Sequence, residues 1–351
     1  MKRIIAVLII LTALIPLVSA QAGSKASLDK IYAAMSNEKT YVSVNDVPAV
    51  KAKKAYKVGL AMVNVGTGFF KALADTLQSE LKASGAVPLL ADCESDVVKQ
   101  VSQVENFIAQ KVDAIIINPA DPQSALTLVL KKAYQANIPV MAVDVPPTSD
   151  APYMAGFVTD AYQLAYVFAE KLAKDVLAAN PTGIIEYGLI GGTQGNPIAA
   201  SRNQGARDAI KKVDTQGRIK EVSFLYAGAY SEESGLKTAE NMLVAHPNIK
   251  MIIGTCDAHV VGATAAAKRQ GLDKNIMMGA VDGSKAALEI MKSGGPIKAI
   301  GLNSPVEVGQ TAARAMLAFL NDGKVPASRA MVLQPALVTP DNLSEYMNKG
   351  F

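Results

Sequence analysis

One regularity limits what this chain can fold into more than any other. From Tyr56 onward, short β-branched or apolar runs return at roughly 25-residue intervals, separated by segments of helical periodicity. The runs are Lys57–Val63, Val87–Ala91, Ala114–Asn118, Pro139–Asp144, Tyr153–Val158, Ile184–Ile190, Glu221–Tyr226, Met251–Cys256, Ile276–Asp282 and Ile297–Asn303. Several are apolar almost throughout, such as Leu60-Ala61-Met62-Val63 and Ala114-Ile115-Ile116-Ile117. That is the pattern of strands covered on both faces of a parallel sheet. The intervening segments carry helix punctuation. Phe69, Leu73, Leu77 and Leu81 fall four apart in a helix that stops before Gly85. Ser231 caps a helix whose first turn holds Glu232 and Glu233, and Pro305 follows Ser304 at a first helical position. The alternation predicts the α/β class with doubly wound parallel sheets. Ten such strands and 351 residues exceed one sheet and one domain, so two lobes are expected.

The start of the chain follows different rules. Met1–Ala20 reads as an export signal: basic Lys2 and Arg3, an apolar stretch from Ile4 to Val18, and small residues at Val18-Ser19-Ala20 for cleavage after Ala20. A membrane anchor is the competing reading. Pro16 and the polar residues from Ser19 leave about 15 apolar residues, fewer than the ~20 a span needs. No cysteine follows the cleavage site, which argues against a lipoprotein anchor. Residues 21–55 read as an extension, with a short helix over Ser27–Ser36 and a linker from Val47 to Ala55, and no chemistry is assigned to them. The chain after export is expected in the periplasm.

Composition narrows function by exclusion. Half of the residues are apolar and 19% are charged, which excludes a disordered chain. The formal charge is +4, and loss of Lys2 and Arg3 leaves 33 basic against 31 acidic residues, or +2. That is too weak and dispersed for a nucleic-acid groove. Two cysteines, two histidines and no tryptophan leave little material for a disulfide scaffold, a zinc site or histidine-based catalysis. Cys93 and Cys256 are expected to be free thiols.

In doubly wound sheets, ligands bind outside the carboxyl ends of the strands. The first strand is followed by Asn64-Val65-Gly66-Thr67-Gly68-Phe69-Phe70. Its glycines match neither a dinucleotide fingerprint nor a P-loop, so a nucleotide is not expected. Two adjacent residues on a helix cannot face one core, so either Phe69 and Phe70 pack against different neighbours or one of them offers its ring to a ligand. Later strand ends supply Asp144 before two prolines, Asn196 and Arg202 after a glycine-rich turn, Tyr230, Cys256-Asp257, Asp282-Gly283 and Asn303. Asp257 and Asp160 are read as helix caps. The remaining set holds acceptors (Asp144, Asp282), a forked donor (Arg202), amides (Asn64, Asn196, Asn303) and ring faces (Phe69, Phe70, Tyr230). Sugar hydroxyls both donate and accept, and sugar C–H faces pack on aromatic rings. The set therefore fits a small, neutral, polyhydroxylated ligand.

At these residues the sequence resembles the type I periplasmic binding proteins of the ribose/galactose-binding class, the soluble receptors of ABC importers. The resemblance covers Tyr56 to about Val338. It rests on Gly-Phe-Phe at 68–70, Ile-Asn-Pro-Ala-Asp at 117–121, Ala-Asn-Ile-Pro-Val at 136–140, Arg202-x-x-Gly-Ala, Ala-His-Pro at 245–247, Val-Asp-Gly at 281–283 and Asn303-x-Pro. It implies a three-strand hinge crossed near Thr159, Asn303 and Val332, and closure of the lobes on a ligand. The implied lobes are 56–159 plus 304–332 and 160–303 plus 333–351. It implies ring stacking by Phe69 or Phe70 and by Tyr230, hydroxyl-binding carboxylates at Asp144 and Asp282, the arginine at Arg202, the hinge amide at Asn303 and a polar ligand position near Asn196. Asn64 and Thr67 complete the expected ligand-binding set at the first strand end. Val145 stands where ribose-type members place a second arginine, and Cys256 where an asparagine is usual. Both exchanges point away from ribose itself. The implied partners are the inner-membrane ABC permease and a chemoreceptor, with the protein a monomer that needs no cofactor.

Other readings compete less well. A LacI-like regulator shares the effector-binding fold but begins with a DNA-binding helix pair rather than an export signal. An enzyme using Cys256 with His259, or a metal site on that pair, lacks a third group; the plain reading is a buried cysteine and a helix-surface histidine. Receptors for a furanone-type signal or a deoxysugar also share Gly66-x-Gly-Phe-Phe, but Val63 stands where the signal receptors carry a lysine.

Overall fold

A computed structural model describes residues 25–66, 68–147 and 150–351. The expected export signal and Thr67 lie outside them. The alternation resolves into two sheets. The first contains β1 (Lys39–Val42), β2 (Lys57–Met62), β3 (Val87–Asp92), β4 (Ala114–Ile117), β5 (Val140–Val143), β6 (Gly156–Thr159) and β12 (Ala330–Leu333). Its order is β1-β12-β6-β5-β4-β2-β3, and every pair is parallel. The second contains β7 (Ile185–Gly191), β8 (Ile219–Tyr226), β9 (Met251–Gly254), β10 (Met277–Asp282), β11 (Ile297–Leu302) and β13 (Ala336–Val338). Its order is β13-β11-β10-β9-β7-β8, with only the short edge strand β13 antiparallel to its neighbour.

Helices cover both faces of each sheet. In the first lobe, α2 (Gly68–Ser84) and α10 (Pro305–Asp322) share one core, and Leu73, Leu77 and Leu81 are fully buried in it. On the other face, α3 (Val97–Ala109) and α4 (Thr127–Gln135) pack against Ile115 and Ile117. In the second lobe, α5 (Ala161–Ala179) and α6 (Pro197–Val213) cover one face. Helices α7 (Glu232–Ala245), α8 (Asp257–Arg269) and α9 (Lys285–Lys292) cover the other. The expected caps are made: Ser231 accepts the N–H of Ser234 at 3.2 Å, and Ser304 that of Glu307 at 3.2 Å. No helix among the described residues is long and apolar enough to cross a membrane.

The chain passes between the sheets three times: from β6 into α5, from β11 into α10, and from β12 to β13. These crossings fall at the expected hinge positions. The 21–55 extension takes more part in the fold than a linker would. Its helix α1 (Lys25–Ala34) buries Leu28 completely, and its strand β1 pairs in parallel with β12. Beyond β1, Lys53 donates its N–H to Asn321 Oδ1 at 2.9 Å and Lys51 accepts from Asn321 Nδ2 at 2.8 Å, pinning that stretch to the end of α10.

Candidate functional site

Parallel strands end on the same side of their sheet, so the crossings turn the strand ends of the two lobes toward each other. Three expected residues meet there. Arg202, on α6, is buried; its Nη2 donates to Asp282 Oδ1 at 2.9 Å and its Nη1 to Asp282 Oδ2 at 3.2 Å. Arg202 Nη1 also reaches the Thr255 carbonyl at 3.1 Å. The fork against a carboxylate fixes both planes at once. Asn303, at the hinge, donates Nδ2 to Asp282 Oδ1 at 3.0 Å and accepts from Thr159 Oγ1 at 3.0 Å. Burial works against the Arg202 charge, but the Asp282 carboxylate overcomes it and holds the guanidinium above its usual range.

Asp144 faces this group from the other lobe. Burial pushes its carboxyl up to about 6, against the opposing pull of an Asn118 hydrogen bond and the Arg202 charge, while Asp282 repels it. Asn118 Nδ2 approaches Asp144 Oδ2 at 3.4 Å and donates to the Val143 carbonyl at 3.2 Å. Buried Gln100 positions this segment, donating Nε2 to the Asn118 carbonyl at 2.9 Å and accepting the Ala120 N–H at 2.8 Å. Asn118 Oδ1 and Arg202 Nε are buried with no hydrogen-bond partner among the described residues. Both cleft carboxylates sit on left-handed backbone, Asp144 at φ 67° and Asp282 at φ 110°. Strain of this kind persists where the surroundings over-determine it, and it concentrates at binding sites.

Two expected amides do not join this group. Asn64 Oδ1 accepts the Gly66 N–H at 2.6 Å in a local turn. Asn196 Oδ1 accepts from Ile198 and Ala199 at 2.9 and 3.0 Å, capping α6. Phe69 and Phe70 are half-buried and meet edge to face, with ring centroids 5.5 Å apart. Tyr230 remains 45% exposed and stacks on His259 at 5.9 Å with the rings 15° from parallel. The Tyr230 and Cys256 side chains lie within electrostatic range of Arg202.

Two further expectations need correction. His259 is not on a helix surface: it is fully buried, and its Nε2 contacts the Ala229 carbonyl at 2.8 Å. Burial depresses its basicity. Asp257 is not a cap. Cys256 occupies the N-cap position of α8, and the Asp257 carboxylate accepts the N–H of Gly283 at 3.0 Å and that of Ser284. It therefore fixes the loop that follows Asp282, and burial together with the Asp282 charge pushes its carboxyl up to about 6. Asp160 does cap α5, accepting from Gln163, but it also accepts from Lys39 Nζ at 2.6 Å and so ties β1 to the hinge. Asn118 and Gln100 join the site beyond the residues that the sequence points to. Asn118 stands in the Ile-Asn-Pro-Ala-Asp motif, which was the available signal. Both cysteines are buried free thiols, and burial raises the Cys256 thiol.

Comparison with known proteins gives the family. A family model described as "Periplasmic binding protein domain" matches residues 58–324. The chain is 30% identical over 255 residues to the D-ribose/D-allose-binding protein of Pseudomonas aeruginosa, covering 68% of this chain and 74% of that one. It is 28% identical to the galactofuranose-binding protein of Escherichia coli K12, covering 83% and 90%. Among solved structures, the binding protein of the arabinose ABC transporter from Shewanella sp. ANA-3, bound to L-arabinofuranose, superposes with a TM-score of 0.68 at 25% identity, covering 84% of this chain and 95% of that one. With two parallel-sheet lobes, three crossings and a polar cluster between them, this chain belongs to the periplasmic binding protein family.

Proposed function

We propose that this chain captures a neutral sugar or sugar-like polyol between its lobes and delivers it to an ABC importer in the inner membrane. The observation that carries the reading is the Arg202–Asp282–Asn303 network at the hinge, faced by Asp144 from the other lobe. A ring of hydroxyls supplies what this network lacks. Donor hydroxyls satisfy Asp144 and the bare Asn118 Oδ1, and an acceptor oxygen satisfies Arg202 Nε. Tyr230 and the Phe69–Phe70 pair offer apolar faces for the sugar C–H surface. Relatives named for ribose, galactofuranose and apiose support the ligand class. Asn64 and Asn196 act as local turn and cap residues in this reading rather than as ligand contacts. Export by cleavage after Ala20 completes the assignment.

Calorimetry against pentoses, hexoses, furanose sugars and inositols tests the reading. At least one is expected to bind, and Arg202→Ala is expected to weaken it by at least tenfold, on the order of the 1.5–3 kcal/mol of a hydrogen bond to a charged group. Failure of the whole panel, or wild-type affinity in Arg202→Ala, sinks the assignment.

A further inference from the structure

The last residues of the chain do more than finish the second lobe. After β13, Tyr346 and Met347 pack on the second-lobe core beside α8 and α9. The chain then turns back toward the first lobe. The Lys349 carbonyl accepts from Ser304 Oγ at 3.0 Å, and Lys349 Nζ lies 3.0 Å from Glu307 Oε1, both at the start of α10. Two residues later the backbone oxygen of Phe351 accepts the N–H of Lys285 at 2.9 Å, returning to the second lobe. The Phe351 ring lies in the opposite direction. It meets Phe69 edge to face, with centroids 5.5 Å apart and the rings at 88°. Phe69 therefore meets both Phe351 and Phe70, and it packs against the first-lobe core.

These contacts span the mouth of the candidate site. Gly350 passes directly over the loop that follows Asp282: a Cβ there would come within 2.7 Å of the Gly283 carbonyl oxygen and 2.8 Å of Leu288 Cδ1. Phe351 reaches from that loop to the start of α2, where the Phe69–Phe70 pair begins. One end of the contact is thus next to a site carboxylate, the other is an expected stacking ring, and the two belong to different lobes.

We propose that Gly350–Phe351 is a cross-lobe clasp. Phe351 is a positioning residue: it holds Phe69 and Phe70 in place and favours the closed arrangement of the lobes, with or without ligand. Ligand enters and leaves the open arrangement, so a contact made only in the closed one raises apparent affinity by opposing reopening of the complex. This inference rests on the cleft being the ligand site.

The clasp predicts a loss of affinity shared by all ligands. Phe351→Ala is expected to weaken every sugar that the wild type binds by the same factor, about three- to tenfold, which is the range for one edge-to-face aromatic contact. The loss is expected in a faster dissociation rate with little change in association. Phe351→Tyr, which keeps the ring, is expected to restore binding. Gly350→Ala, which pushes the segment off the Gly283 carbonyl, is expected to copy Phe351→Ala. Small-angle scattering of the ligand-free protein is expected to give a larger radius of gyration for Phe351→Ala than for wild type, at an unchanged melting profile. Unchanged affinities overturn the clasp, as does a loss confined to one sugar, which would make Phe351 a ligand contact, or an equal ligand-free radius. The scattering arm needs no ligand, so failure of the sugar panel and failure of the clasp remain separate results.

Discussion

At the scale of single residues, the protonation of Asp144 gives the site a pH dependence whose sign can be worked out. Its carboxyl is raised from an ordinary 3.8 to about 6, mainly by burial. A raised carboxyl binds its proton more tightly in the folded chain than in the unfolded one. Its contribution to stability is therefore fully present below about 3.8 and lost as pH rises through about 6. Asp257, raised to about 6 by burial and by Asp282, adds to the same trend. Binding runs the other way. In the proposed complex sugar hydroxyls donate to the ionised carboxylate, so that complex favours the form that is depleted below about 6. Calorimetry from pH 8 to pH 5 is expected to show constant affinity above about 6.5, then a fall approaching tenfold per pH unit, with protons released on binding. Asp144→Asn is expected to bind more weakly at pH 8 and to flatten that fall, while the stability trend carried by Asp257 survives. An affinity that rises on acidification would contradict the arrangement.

At the scale of elements, the placement of Tyr230 depends on how closely α7 and α8 approach. A Cβ on Gly262 would lie 2.1 Å from the Glu232 carbonyl oxygen and 2.4 Å from the Leu236 nitrogen, both backbone atoms of α7. Gly262→Ala must separate the two helices, at a cost of about 1–3 kcal/mol for overpacking. The separation carries His259 away from the Ala229 carbonyl and from the Tyr230 ring. Reduced thermal stability together with weaker sugar binding is the expected result; full affinity in a destabilised protein would show that Tyr230 does not depend on this packing. This close approach also explains where the sequence was hard to read. Apolar runs longer than four residues announced β2, β7, β10 and β11, because both faces of those strands are covered. The edge strands β1 and β13 are four and three residues long, and β1 alternates exposed with buried positions behind a lysine, so neither stands out from a loop. His259 read as a surface residue because α8 is rich in alanine and glycine. Those small residues are the reason a neighbouring helix comes close enough to bury it. Likewise Asp257 matches a cap by position, and only the approach of the β10 loop redirects its carboxylate.

At the scale of the whole molecule, the question is how a ligand in the cleft reports to the hinge. Asn303 is the link. It receives Thr159 Oγ1 from the first crossing, belongs to the second, and donates to Asp282 Oδ1, which also faces Arg202. Its own N–H donates to the Asp282 carbonyl at 2.8 Å, so the backbone there is fixed independently of the amide side chain. Asn303→Ala therefore removes two side-chain hydrogen bonds without dismantling the crossing. A hydrogen bond to a charged group contributes about 1.5–3 kcal/mol, so affinity is expected to fall by roughly 10- to 100-fold. If the amide only contacts ligand, the variant still closes fully when saturated. If it couples the site to the hinge, the saturated variant keeps part of the larger radius of gyration of the ligand-free protein. The bonds to Thr159 and Asp282 join the first crossing to a second-lobe carboxylate, which favours the coupled outcome: scattering at saturating ligand is expected to show incomplete closure in Asn303→Ala and complete closure in wild type. Full closure of the saturated variant would reduce Asn303 to a ligand contact and leave lobe movement to the crossings' backbone alone.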